Sequence, residues 1–234
     1  MAKPLAIIAA LLMPGQAFAG SNPCRNHAVT PEITFRILDP EPEYRQVTSE
    51  EIRTAAGLRN PSHTLGFTAA DFNIFTAFTS QSFELDPSPP TPYAPYSPAF
   101  NLASSSGRCV AITKIEFEIG YASINVLIDD KFRPGACRHT EILKHENVHV
   151  GIYRDILRRY APLVRTELED MAYSIKPMFE ERRDTRTIDR IFNENIDKNP
   201  RLQAIIARMM REIQTRNNEY DSDDEYERLA KACK

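Results

Sequence analysis

Glu141-Ile-Leu-Lys-His-Glu-Asn-Val-His-Val-Gly-Ile-Tyr-Arg-Asp-Ile-Leu157 contains an H-E-x-x-H sequence, His145 to His149, inside a run without proline. On an α-helix positions i and i+4 share a face, so both imidazoles can reach one metal ion. Glu146 follows His145 at about 100° round the helix, where it can take a proton from a water held at the metal. Ile142, His145, His149, Ile152 and Ile156 form one stripe at helical spacing, as expected of a half-buried helix that carries a metal. Zinc suits such a site, because it accepts imidazole and carboxylate donors in tetrahedral geometry and leaves one position open.

Upstream, Cys109-Val-Ala-Ile-Thr-Lys-Ile-Glu-Phe-Glu-Ile119 and Ser123-Ile-Asn-Val-Leu-Ile-Asp129 are rich in β-formers. Ile115, Phe117 and Ile119 alternate with charged residues, the pattern of a half-buried strand. Gly120-Tyr121-Ala122 lies between the two runs and predicts the turn of an antiparallel hairpin. Ile33 to Leu38 predicts another strand, and 63–68 and 72–78 two more. Ser49 to Ala56, followed by Gly57, predicts a short helix. Asp86 to Pro98 is dense in proline and predicts an extended loop. After Cys137 the pattern turns helical. Pro162 and Pro177 predict breaks or kinks. Asn199-Pro200 predicts a helix start, and a last short helix begins near Ser222. The expected fold is therefore α+β, with an N-terminal antiparallel sheet packed on the H-E-x-x-H helix and a mostly helical C-terminal half.

The first residues predict an export signal, residues 1–19. Lys3 is followed by the apolar run Leu5–Met13 and by Ala17-Phe18-Ala19 before Gly20. Residues 20–234 then form one domain, β-rich over 20–136 and helical over 137–234, expected in a periplasm or outside the cell. Only Lys3 of the 29 basic residues lies in the leader, so 28 face 32 acidic residues, a net charge of about −4. That balance argues against general nucleic-acid binding and against an anionic-membrane anchor. No later run is long enough to span a membrane. Cys24, Cys109, Cys137 and Cys233 predict two disulfides in an oxidising compartment. Composition allows three pairings. The hairpin would bring Cys109 to Cys137, which leaves Cys24 with Cys233.

A catalytic zinc needs a third protein ligand. Asp155 points about 100° from the histidine pair if the helix continues, which suits a surface ion pair with Arg158 or Arg159. Glu167, Glu169, Glu180, Glu181 and Glu194 are carboxylates on later elements. Glu225 is preferred, because a C-terminal helix anchored through Cys233 could deliver it. Ser222-x-x-Glu225 also fits a helix-capping box. His139 and His63 are further candidates. Tyr153 could assist an oxyanion or simply pack.

Cys137, the H-E-x-x-H-Val sequence and the strands before it resemble zincin-type metallopeptidases. More narrowly, they resemble the bacterial predicted secreted zinc-dependent proteases grouped as domain of unknown function 922. The similarity covers about residues 109–160, with an echo at Tyr220-Asp221. In that group a histidine-glycine pair follows the Tyr-Asp, where this chain has Glu225-Tyr226. The resemblance implies a zincin-like fold, bound zinc and peptidase activity, with a peptide or protein substrate lying along strand 110–119 or 123–129. The alternative is a non-catalytic exported zinc-binding or interaction protein with a degenerate fold of this kind.

Overall fold

The computed structural model describes Cys24 and residues 29–57, 65–84, 108–180 and 186–233. The expected export signal, His63, Glu181 and the proline-rich loop lie outside the described residues. The organising element is strand β4, Arg108–Asp129. It is one 22-residue strand rather than a hairpin. β3, Gly66–Glu84, pairs antiparallel along nearly the whole of it. The two runs expected as separate strands are thus one. β1, Glu32–Leu38, and β2, Glu43–Val47, lie parallel to residues 114–120 and 125–129 of β4. β5, Met178–Glu180, lies antiparallel to 108–110. A strand has two edges. Since β3 fills one, β5, β1 and β2 follow one another along the other. The sheet is therefore mixed, not purely antiparallel.

The residues read as a turn lie inside β4, which continues through them. Gly120 has φ 147°, and a Cβ there would lie 2.0 Å from the Leu38 carbonyl oxygen. The glycine is needed for the close approach of β1, not for chain reversal. Ala122 is left over between the pairs Phe72↔Tyr121 and Asp71↔Ser123. Such a bulge bends and twists a strand without ending it.

Two shorter segments fold as their local chemistry dictates. Helix α1, Ser49–Ala56, has Thr48 and Glu51 in a reciprocal capping box and Gly57 in the left-handed region at its end. Helix α4, Pro200–Tyr220, is capped by the Asn199 side chain, which accepts from the backbone of Arg201 and Leu202.

Helix α2, Cys137–Ser174, runs 38 residues, about 57 Å, back along the sheet. Its first half packs Ile142, Val150 and Leu157 on Tyr121, Ile124, Val126 and Ile128. Its second half packs Val164, Leu168, Met171 and Ala172 on Ile115, Phe117 and Ile119. The helix passes through Pro162 instead of breaking there. A helix-interior proline costs about 3 kcal/mol. Burying Tyr160, Val164 and Leu168 around it offsets that, at roughly 1.5–3 kcal/mol for each aliphatic side chain.

α3, Arg186–Lys198, precedes α4. α4 returns antiparallel to α2, with Met209 and Ile213 against Ile152, Ile156 and Tyr160. α5, Asp223–Lys231, then lies over the start of α2. No helix among the described residues is long and apolar enough to cross a membrane.

The disulfides are Cys24–Cys109 and Cys137–Cys233, so the pairing expected from a hairpin is wrong. The reason is the unbroken strand. Cys109 lies near the start of β4 and Cys137 follows its far end, roughly 60 Å away along a straight strand. Cys137–Cys233 instead fastens α5 to the first turn of α2. Two disulfides in one chain accord with an oxidising compartment.

Peptide mapping without reductant should recover the Cys24–Cys109 and Cys137–Cys233 peptides. Replacing Cys137 and Cys233 together by serine should lower unfolding free energy by about 2–5 kcal/mol in urea titrations, since the bridge closes a long loop. An unchanged midpoint would count against a structural role for the bridge.

Candidate metal centre

His145 and His149 lie one turn apart on the buried face of α2, 4% and 6% exposed. Ile142, Ile152 and Ile156 of the same stripe are also buried. α4 runs antiparallel over that face, and its last turn arrives at the histidines. The carboxylate of Asp221, at the C-terminal end of α4, sits between the rings. Its Oδ1 is 3.1 Å from His145 Nε2 and 3.0 Å from His149 Nε2, and the two Nε2 atoms are 3.3 Å apart.

The outer nitrogens bear on what this triangle can hold. His145 Nδ1 faces Glu225 Oε1 at 3.2 Å, and His149 Nδ1 faces Asn217 Oδ1 at 3.0 Å. Both outer partners are acceptors, so each Nδ1 carries the proton and each neutral ring turns a lone pair inward at Nε2. Three lone-pair atoms within hydrogen-bonding distance repel one another unless a cation lies among them. Burial pushes both imidazoles toward the neutral form. Asp221 and the other acceptors outweigh it and hold both above the ordinary histidine value. Burial likewise pushes Asp221 up, but its bonds to the two histidines prevail and draw it well below the usual carboxylate range. Protons and a metal are thus alternative occupants of one site.

The donor set fits a metal ion. Bonds of about 2.0–2.1 Å in tetrahedral geometry place donor atoms about 3.3 Å apart, close to the sides of this triangle. His145, His149 and Asp221 can hold a metal ion together.

Glu146 is 4% exposed and turns toward β3. Thr68 Oγ1 donates to Glu146 Oε2 at 2.8 Å. At Gly66 a Cβ would lie 2.6 Å from Glu146 Oε1, so only glycine leaves room for the carboxylate. Burial pushes Glu146 up, against the Thr68 bond and the two histidines. A carboxyl whose pKa is raised in this way suits a group that both takes and returns a proton.

The other candidates fall elsewhere. Glu225, expected as the third ligand, bonds the outer nitrogen of His145; Asp221 occupies the inner position instead. Glu225 does not close a capping box either. Ser222 Oγ accepts from its backbone N–H, but its carboxylate takes Arg228, His145 and Tyr220. Asp155 pairs on the surface with Arg216 and Arg159, while Arg158 faces Asp39. Glu167 accepts from Asn199, and Glu169 and Glu194 pair with Arg165 and Lys198. His139 is half-buried in the first turn of α2, outside the metal cluster. Tyr153 packs edge-on against Tyr121, its hydroxyl 3.5 Å from the Thr68 carbonyl.

Asp221, Asn217, Thr68 and Gly66 are the residues that sequence reasoning missed. One signal was present: Asn217 and Asp221 repeat the i, i+4 spacing of the histidines. In comparisons with known protein families, curated proteins and solved structures, no match is found.

Asp221→Asn should weaken affinity for a divalent metal by more than the roughly 10–100-fold typical of an outer partner of a ligand. Chelator competition measures it, and an affinity within a few-fold of wild type would remove Asp221 from the ligand set. Gly66→Ala should leave metal binding nearly intact while shifting Glu146. The check is full metal uptake combined with a clear loss of any activity that depends on Glu146.

Proposed function

We propose that the protein is an exported zinc-dependent metallopeptidase of zincin-like type. The observation that carries this reading is the convergence of His145 Nε2, His149 Nε2 and Asp221 Oδ1 within 3.3 Å, with the buried carboxylate of Glu146 on the same helix. Two imidazoles and one carboxylate make a donor set that suits catalytic zinc, and three protein ligands leave the fourth position open. Glu225, the neighbouring carboxylate that might have closed it, is turned to the far side of His145. That orientation favours a catalytic site over a purely structural one.

Bound zinc would supply Lewis acidity, polarising a carbonyl and acidifying a water. The chain's own groups do the rest. Glu146 takes a proton from the attacking water and returns it to the leaving amine. Thr68 holds the Glu146 carboxylate in place, and Gly66 gives it space.

The substrate strand proposed from sequence has to move. Both edges of β4 are occupied at 114–120 and 125–129, so it offers no edge to a peptide there. β3 is the better candidate, since among the described residues it pairs with β4 alone. The Leu65 carbonyl accepts from Asp129 N–H, which turns the backbone groups of Gly66, Thr68 and Ala70 away from β4. An extended peptide added along 66–70 would run past Glu146.

The non-catalytic alternative keeps one favourable observation: a metal held by Asp221 would staple the end of α4 to α2. Disulfide-bonded protein should carry about one zinc per chain and cleave unfolded casein, and chelation followed by zinc return should abolish and restore cleavage. Glu146→Gln should keep its zinc and lose about 10²–10⁴-fold in rate. Cleavage at the wild-type rate by that variant would overturn the mechanism. Full zinc without any cleavage would establish the staple instead.

A further inference from the structure

The C-terminal helix holds a group with no direct place in the metal triangle. Arg228 on α5 grips Glu225 with two arms, Nε to Oε2 and Nη2 to Oε1, both 2.8 Å. The same Glu225 Oε1 faces His145 Nδ1, and Tyr220 donates its hydroxyl to it at 3.3 Å. The Glu225 side chain is 13% exposed, and the Arg228 fork with its helical turn fixes the plane of the carboxylate. We propose that Arg228 is a positioning residue of the metal centre: through Glu225 it keeps the His145 proton on Nδ1 and aims the Nε2 lone pair at the metal. This rests on the metal reading above.

The two histidines are braced unequally. His149 has the neutral amide of Asn217, while His145 has an ionised carboxylate held by an arginine. The fork places a guanidinium directly on the carboxylate that faces His145, whereas the partner of His149 is a neutral amide. A charged acceptor at Nδ1 raises the donor strength of the opposite nitrogen.

A role limited to fastening α5 fits these contacts less well. Cys137–Cys233 and the bond from Arg138 to the Leu229 carbonyl already hold α5 on the first turn of α2. The third arm of Arg228, Nη1, reaches Glu141 Oε2 at 3.0 Å. Glu141 bonds Lys144 on the helix surface and leads no further toward the metal. The two arms therefore separate bracing from fastening.

The test compares Arg228→Gln, Glu225→Gln, their double variant and Glu141→Gln, all with disulfides intact and folding checked by circular dichroism. Two readouts are taken. One is the imidazole nitrogen and N–H resonances of His145 in metal-free protein. The other is affinity for cobalt(II) and zinc by chelator competition, with the cobalt electronic spectrum. Wild type should show a hydrogen-bonded Nδ1–H on His145, and Arg228→Gln and Glu225→Gln should shift or lose it. Each should bind metal about 10-fold or more weakly, and the double variant little more weakly than the worse single one. Arg228→Lys, which lacks the planar fork, should rescue only in part. Glu141→Gln should stay within about twofold of wild type.

An unchanged resonance and affinity in Arg228→Gln overturns the proposal, as does a loss in Glu141→Gln equal to that in Arg228→Gln. Wild-type protein that takes up neither metal refutes the metal reading. In that case the Nδ1–H resonance alone still decides whether Arg228 orients His145.

Discussion

The whole site depends on the burial of one long helix between a sheet and a second helix. α2 must place apolar side chains on β4 along its full length, and that fixes its axis and rotation. With the rotation fixed, His145 and His149 face α4 rather than solvent. Met209 and Ile213 then set the register of α4 against Ile152, Ile156 and Tyr160, and this determines where its last turn arrives. The Asp221 carboxylate meets the imidazoles as a consequence of packing several turns away. A core substitution that slid α4 by one turn, about 5.4 Å, would separate the donor atoms without altering any of them.

The polar centre has its own internal logic. Each histidine uses its outer nitrogen on an acceptor and its inner nitrogen on the metal position. Each acceptor comes from the same C-terminal stretch, Asn217 to Glu225, that also provides Asp221. A single segment thus supplies the carboxylate between the histidines and both outer partners, and the bridge between Cys137 and Cys233 holds its far end. Glu146 is treated differently. It faces the sheet, where a hydroxyl and a missing side chain shape its pocket. The histidines thus take their partners from the C-terminal stretch, and Glu146, next to them on α2, takes its own from β3.

Local chemistry was a sound guide where the signal was local. The short helix ended by Gly57, the Asn199-Pro200 start and the helix beginning near Ser222 are each decided by neighbouring backbone groups, and each element appears where its residues place it. Gly120 and Pro162 show the opposite case. A glycine between two β-rich runs reads as a turn, and a proline in a helical pattern reads as a break. Both readings weigh the residue against its sequence neighbours alone. In the folded chain Gly120 admits the Leu38 carbonyl, and Pro162 is carried by the apolar burial around it.

The sequence by itself determined that His145 and His149 share one face with Glu146 beside them, because i and i+4 on a helix are neighbours whatever the remainder of the chain does. It also determined the buried stripe around them and the presence of paired cysteines in a chain read as exported. Tertiary structure decided which carboxylate meets the histidines, their outer partners, the pocket for Glu146 and the disulfide pairing. Those contacts join residues tens of positions apart, from Thr68–Glu146 to Cys137–Cys233, and depend on which edge of β4 each strand takes and how far α4 extends along α2. Such distances are set by packing between elements, which no spacing within one element encodes.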